Sequence, residues 1–99
     1  MNTNEQKFEC LAVTQVEVSV FKQGGAYLGK LRGFATIVLN DQLQIRGLRI
    51  MDSENGLYVG YPTDPYCRED FQHMVLPMTR ALREHIENCV LEKYQQAIG

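Results

Sequence analysis

A change of period is the feature that most constrains this chain. Up to Tyr61 the apolar residues recur at every second position between turn signals; from Thr79 onward they recur at spacings of three, four and seven. A period of two belongs to strands with one buried face, and a period near 3.6 to a helix with one apolar stripe. Over residues 8–21, Ala12, Thr14, Val16, Val18 and Val20 alternate with Gln15, Glu17 and Ser19, which reads as a first strand. Residues 22–30 are polar and rich in glycine, as a hairpin loop requires. A second strand spans about 31–39, Asn40-Asp41 forms a two-residue turn, and a third strand covers 43–52. An Asn55-Gly56 turn then leads into a fourth strand over 57–61, ended by Pro62. Between Pro62 and Pro77 the pattern lapses: Thr63-Asp64-Pro65-Tyr66 reads as a turn and 71–76 as a short fifth strand. Leu82, Ile86, Cys89, Val90, Tyr94 and Ala97 then share one side of a helix, with Thr79 as its N-cap and Gly99 at its end. The expected fold is α+β: a small antiparallel meander of four or five strands with one C-terminal helix packed on it.

With 99 residues, 44% of them hydrophobic and 22% charged, the sequence fits one globular domain over 1–99, whose first seven polar residues are expected to be disordered. Ten Lys+Arg against twelve Asp+Glu leave a formal charge of −2, so there is no chain-wide positive field and any phosphate binding must come from a local patch. The three cysteines, Cys10, Cys67 and Cys89, are odd in number and scattered, which points to a reducing compartment and a cytoplasmic protein. No apolar run approaches the roughly 20 residues that span a bilayer, so no membrane partner is expected.

The second strand is apolar on both faces, with Phe34 and Val38 on one and Ala35, Ile37 and Leu39 on the other. By strict alternation the third strand splits Leu48 and Ile50 from Ile45 and Met51. One helix covers only one face of a sheet, so a second copy of the chain is the simplest cover for the other, and a homodimer is expected. A curled sheet covered by residues 62–76 is the alternative.

Motifs that resemble catalytic or metal sites do not hold up. Gly24 to Lys30 matches the start of a phosphate loop, but Leu31 stands where a Ser or Thr must bind Mg²⁺, and the next element is a strand rather than a helix. Asp52-Ser53-Glu54-Asn55-Gly56 resembles a calcium loop but has Thr63 at the twelfth position, where a bidentate Glu is needed. His85 and Cys89 lie one helical turn apart without a second pair to complete a zinc site, and read as a surface histidine beside a small core thiol. Cys67 and His73 stand in an acidic segment that would raise the thiol pKa. No catalytic residue, metal ligand or cofactor site is assigned.

The start of the helix is unusual. Arg80 and Arg83 sit where the macrodipole is positive and cations are mildly disfavoured. Together with open N–H groups they could receive a phosphate; the structural reading is that Arg83 lays its stem along the Ile86 and Val90 side and pairs with a sheet carboxylate such as Asp52. The outer helix face, with Glu84, Asn88, Glu92, Gln95 and Gln96, would repel phosphates. Other positive charge is available from Lys22, Lys30, Arg32, Arg46, Arg49 and Arg68. Tyr27, Tyr58, Tyr61 and Tyr66 offer rings to stack bases, although Tyr58 and Tyr61 fit sheet packing with their hydroxyls at the rim.

The stretch from Ile45 to Thr63, with Arg49, Asp52, Asn55-Gly56-Leu57-Tyr58-Val59 and Pro62-Thr63, is followed in unbroken register by Pro77, Arg83, Ile86, Val90, Leu91 and Tyr94. It resembles the SpoVG (stage V sporulation protein G) family, whose pattern reads roughly I-R-V-I-D-G-N-x-G-L-F-V-A-M-P-S and then T-R-x-x-I-x-x-A-V-L-x-x-Y. The resemblance covers residues 44–94, and Val13 to Val18 also fits the family's first strand. It implies a small antiparallel sheet with a C-terminal helix, a homodimer, no enzyme activity and no cofactor, and a cytoplasmic bacterial regulator that binds DNA or RNA and is linked to septation and sporulation. The chain departs from the family where Asp64-Pro65 replaces a Lys/Arg pair after the Pro-Ser, and where residues 71–77 lack an arginine.

These readings combine into a non-catalytic nucleic-acid-binding homodimer. Its contact set is Arg46, Arg49, Arg68, Arg80 and Arg83, with Lys30 and Arg32 secondary. The competing expectation is a homodimeric module that binds another protein and has lost nucleic-acid binding.

Overall fold

The computed structural model describes residues 11–21, 30–64, 66 and 72–99. Strands β1 (Val13–Val20), β2 (Leu31–Leu39), β3 (Leu43–Ser53) and β4 (Gly56–Gly60) form an antiparallel sheet in the order β1-β2-β3-β4, and helix α1 (Arg80–Ile98) follows. The fold is the expected α+β meander with its C-terminal helix.

The turns are built by the residues that signalled them. Asn40 and Asp41 both have positive φ, 53° and 56°, and Gln42 N–H closes the turn onto Leu39 C=O at 2.9 Å. Such a turn has the twist of the strands it joins, and Asn and Asp tolerate it better than other non-glycine residues. The turn also anchors the approach to β1, since Ala12 N–H donates to Asn40 Oδ1 at 2.8 Å and Asp41 N–H donates to Thr14 Oγ1 at 2.9 Å. At the next turn Gly56, at φ 115°, opens β4 one residue earlier than expected.

One face of the sheet makes the core. Ala35, Ile37 and Leu39 of β2, Leu48 and Ile50 of β3, and Val59 of β4 pack with Tyr61 against Ile86, Val90 and Tyr94 of α1. The three helix residues are four apart, the spacing that keeps side chains on one stripe, and each fully buried aliphatic contributes about 1.5–3 kcal/mol. Thr79 caps the helix, its Oγ1 accepting Leu82 N–H at 3.2 Å. Replacing such a cap by Ala costs about 1 kcal/mol. Ala97 does not join the stripe: the last turn runs past the sheet and is exposed.

Strict alternation fails in β3, and also near the ends of β1 and β2, between Val13 and Gln15 and between Leu31 and Gly33. Ile37 pairs with Ile45 but Ala35 pairs with Leu48, so Arg46 and Gly47 together face the single Thr36. This is a β-bulge, with Gly47 at φ 85°. The extra residue returns Ile45 to the core side with Leu48 and Ile50, where it packs against the cluster, instead of placing it with Met51.

Three other expectations need correction. Residues 72–76 form no strand: Asp64 N–H to Gln72 C=O and Met74 N–H to Pro62 C=O, both 2.8 Å, make only the isolated bridge Thr63 to His73. Pro62 has no N–H to extend a ladder. The first strand begins at Val13 among the described residues, while residues 8–10, the 22–29 loop and the expected disorder of 1–7 lie outside them. His85 is half-buried rather than a surface residue, because its Nε2 accepts the Val13 N–H at 3.0 Å. That contact leaves the ring proton on Nδ1, which faces Cys89 Sγ at 3.9 Å.

Candidate nucleic-acid interface

The face of the sheet opposite the helix holds the first candidate group. Cross-strand partners share a face, and the register sets Ser19 against Phe34, Phe34 against Arg49 and Arg49 against Gly60. One row therefore crosses all four strands with a serine, an aromatic ring, a guanidinium group and a gap. A side chain at Gly60 would lie against the Arg49 and Met51 side chains, so the glycine leaves the stem of Arg49 uncovered. Tyr58, paired with Met51, lies on the same face beyond this row. Phe34 and Tyr58 are each 39% exposed, high values for rings on a sheet. Phe21 meets Phe34 edge to face, with centroids 5.5 Å apart and planes at 82°, which fixes the orientation of the Phe34 ring.

The bulge puts Arg46, opposite Thr36, on the same face as Arg49. Arg46 and Gly47 border an open hollow of about 430 Å³ whose other walls include Glu17, Ser19, Phe34 and Thr36. Arg46 and Arg49 are both exposed, and neither makes a salt bridge among the described residues. Arg32 is placed differently, as its Nε lies 3.5 Å from Asp52 Oδ2. The expected partnership of Asp52 with Arg83 is thus replaced by a pair with Arg32, whose strand neighbours the one carrying Asp52. Lys30 is exposed just before β2.

Arg80 and Arg83 form a separate group on the helix, across the sheet from Arg46 and Arg49. Arg80 is 90% exposed and its Nε lies 3.5 Å from Glu84 Oε2. In water such a pair contributes little to stability, but it offsets the positive charge of the helix start. Arg83 is exposed and shares a surface hollow with Arg80, Thr79, Glu84 and Glu87. The Thr79 cap already occupies one of the open helix N–H groups. Lys93 is exposed on the side of the helix nearest β1, where it borders a hollow with Val13, Gln15 and Glu92. Arg68 lies outside the described residues, as do Lys22, Tyr27 and Cys67. Tyr66 is almost fully exposed, and its N–H donates to Asp64 Oδ1 at 2.9 Å.

The two tyrosines expected to pack the sheet behave differently from that expectation. Tyr58 stands half-open on the outer face. Tyr61 turns inward at 9% exposure, and its hydroxyl is buried without a hydrogen-bond partner among the described residues. Burial, reinforced by Glu87 and partly opposed by Arg83, pushes this phenol up to about 12. Burial and Glu92 also push the Cys89 thiol up. Among the described residues no three His, Cys, Asp or Glu side chains come together as metal ligands, and no helix is long and apolar enough to cross a membrane.

Sequence reasoning missed Phe34 as a site residue. Without the bulge, the Asn40-Asp41 turn would set Phe34 against Leu48; the extra residue sets it against Arg49. Gly47, an isolated glycine inside a strand pattern, was the available signal.

The sequence profile of the SpoVG family matches residues 11–96, which takes in every strand and nearly all of the helix. The chain belongs to the SpoVG family. A SpoVG relative from Fusobacterium nucleatum, named "Putative septation protein SpoVG", is 34% identical over 84 residues, covering 85% of this chain and 88% of the relative. Relatives of the same name are 29% identical in Archaeoglobus fulgidus, covering 81% of this chain and 92% of theirs, and 27% identical in Treponema denticola, covering 87% and 88%. In this SpoVG chain the family match includes the β3–β4 region that carries Arg49, Tyr58 and Gly60.

Proposed function

We propose that this SpoVG-family chain is a non-catalytic nucleic-acid-binding regulator, cytoplasmic and connected with septation as its relatives' names suggest. In this reading Arg46 and Arg49 are its main phosphate contacts, and Arg68, Arg80 and Arg83 are secondary. One observation carries the choice: Arg46 and Arg49 stand on an open sheet face without a salt bridge among the described residues, Glu17 alone bordering the hollow beside Arg46, whereas Arg80 is paired with Glu84 and Arg83 shares its hollow with Glu84 and Glu87. In a chain of net charge −2, phosphate binding needs such a local concentration of positive charge.

The test is fluorescence anisotropy of labelled single- and double-stranded DNA and RNA from about 50 to 200 mM salt. Saturable binding that weakens with salt is expected. Arg46→Gln with Arg49→Gln should flatten the single-strand log–log salt slope by about 1.4, since each phosphate contact contributes about 0.7. Arg80→Gln with Arg83→Gln should flatten it less. Absence of binding at about 50 mM salt would overturn the reading.

The homodimer is retained as a second reading, moved to another surface. Twofold contact through the open sheet face would bring the arginines of two copies toward one another. Another exposed apolar surface lies where Leu11, Leu43 and Leu76, 44%, 56% and 42% exposed, border a cavity of about 180 Å³. Light scattering should give a dimer mass for the wild type and a monomer mass for Leu43→Glu.

A further inference from the structure

We infer that the open sheet face is a stacking platform for unpaired bases, so that this protein selects single-stranded over double-stranded nucleic acid. This rests on the nucleic-acid reading above and adds to it the form of the ligand and the groups that recognise it. Three features of the face point the same way.

The first is the exposure of two aromatic rings on either side of an arginine. Phe34 on β2 and Tyr58 on β4 flank β3, where their partners Arg49 and Met51 are two residues apart. Two strand intervals sideways and two residues along give about 12 Å between the ring positions. That is room for two separate bases, with the Arg49 guanidinium between them for the intervening phosphate. The second is openness. Gly60 leaves the β4 end of the Arg49 row without a side chain, and Phe21 fixes the Phe34 ring from the opposite edge. The third is charge. Arg46 and Arg49 attract a polyanion along β3, while Glu17 at the β1 side of the hollow repels it, so the chain of phosphates is directed along β3 and β4.

A duplex does not fit this arrangement. Its base faces are stacked on one another, and its major groove, about 12 Å wide, admits a helix or a two-stranded ribbon rather than the face of a four-stranded sheet. Against a duplex the arginines would meet phosphates but the two rings would find no base to cover. Against a single strand both sets of groups are used, and stacking is tolerant of sequence because every base has a π-face.

The experiment compares a labelled oligothymidylate with a labelled self-complementary DNA duplex at one salt concentration, then repeats each across the salt range. Phe34→Leu and Tyr58→Leu remain apolar, and thermal melts confirm that each variant folds. The wild type should favour the single strand. Each leucine variant should lose about tenfold in single-strand affinity with its salt slope unchanged, because no phosphate contact is removed. Duplex affinity should not move, and Tyr58→Phe should bind as the wild type does. Equal affinity for both probes, or equal losses on both, overturns the platform while leaving nucleic-acid binding intact. Failure of both probes to bind overturns the underlying reading and the platform with it. A dimer that the leucine variants convert to monomer, with single-strand binding unchanged, would identify the face as a contact between copies and also overturn the platform.

Discussion

Tyr61 combines a favourable and an unfavourable effect in one side chain. Its ring fills the core between sheet and helix, yet its hydroxyl is buried and finds no hydrogen-bond partner among the described residues. An unsatisfied buried hydroxyl costs about 1–3 kcal/mol, so Tyr61→Phe should stabilise the protein by about 1 kcal/mol, measured as a higher urea midpoint with unchanged slope. The pH dependence follows from the same burial. The folded phenol ionises near 12 and the unfolded one near 10. Between those values the unfolded state binds fewer protons than the folded state, so stability is complete below pH 10 and is lost as pH rises toward 12. The raised Cys89 thiol acts in the same direction, so the difference between wild type and Tyr61→Phe isolates the phenol: the gap should widen from pH 10 upward with the variant increasingly favoured. A gap that stays constant would show that the hydroxyl is solvated in solution.

Among the elements, the β1–β2 pair depends on a glycine for steric reasons. Gly33 lies on the core side of β2, and a methyl group there would run into the carbonyl oxygen of Ser19 on the neighbouring strand. Because the obstacle is backbone, the strands must separate locally. Gly33→Ala should cost about 1–3 kcal/mol in denaturant unfolding, and amide exchange should accelerate in β1 and β2 before it does in α1. Ser19 and Phe34 are neighbours of this contact, so the same substitution should disturb the open face more than the helix start.

For the whole molecule, pairing is local in the sheet and distant only at the helix. Each strand bonds to its neighbour in sequence, while His85 of α1 reaches back 72 positions to hold the Val13 N–H. His85→Ala should leave that N–H unpartnered, costing about 1–2 kcal/mol and exposing the Val13 amide to rapid hydrogen exchange. Protection at Val13 equal to wild type would show that another group takes over. Much of this architecture was legible in the sequence. Alternation around Asn40-Asp41 and Asn55-Gly56 defined three of the strands closely, and the three-four-seven spacing after Thr79 defined the helix, because local periodicity reflects which side of an element is wet. What was not legible depends on contacts between segments. The partner of Asp52, the inward turn of Tyr61, the acceptor role of His85 and the separation of Arg46 and Arg49 from Arg80 and Arg83 are all decided by which elements meet. Local pattern carries no record of that.

The bulge in β3 has a further consequence. On one side of Gly47 the odd-numbered Ile45 faces inward; on the other the even-numbered Leu48 and Ile50 do. The strand is in effect two phrases written in different reading frames, with one residue as the punctuation between them. Losing that residue would join the phrases in a single frame, with Ile45, Leu48 and Ile50 still facing inward and Arg46 and Arg49 still facing outward. Deletion of Gly47 should therefore spare the core and the arginine face, whereas a larger residue at Gly47 would have to adopt its φ of 85°. Arg46 and Arg49, three positions apart, thus owe their common face to that single interruption.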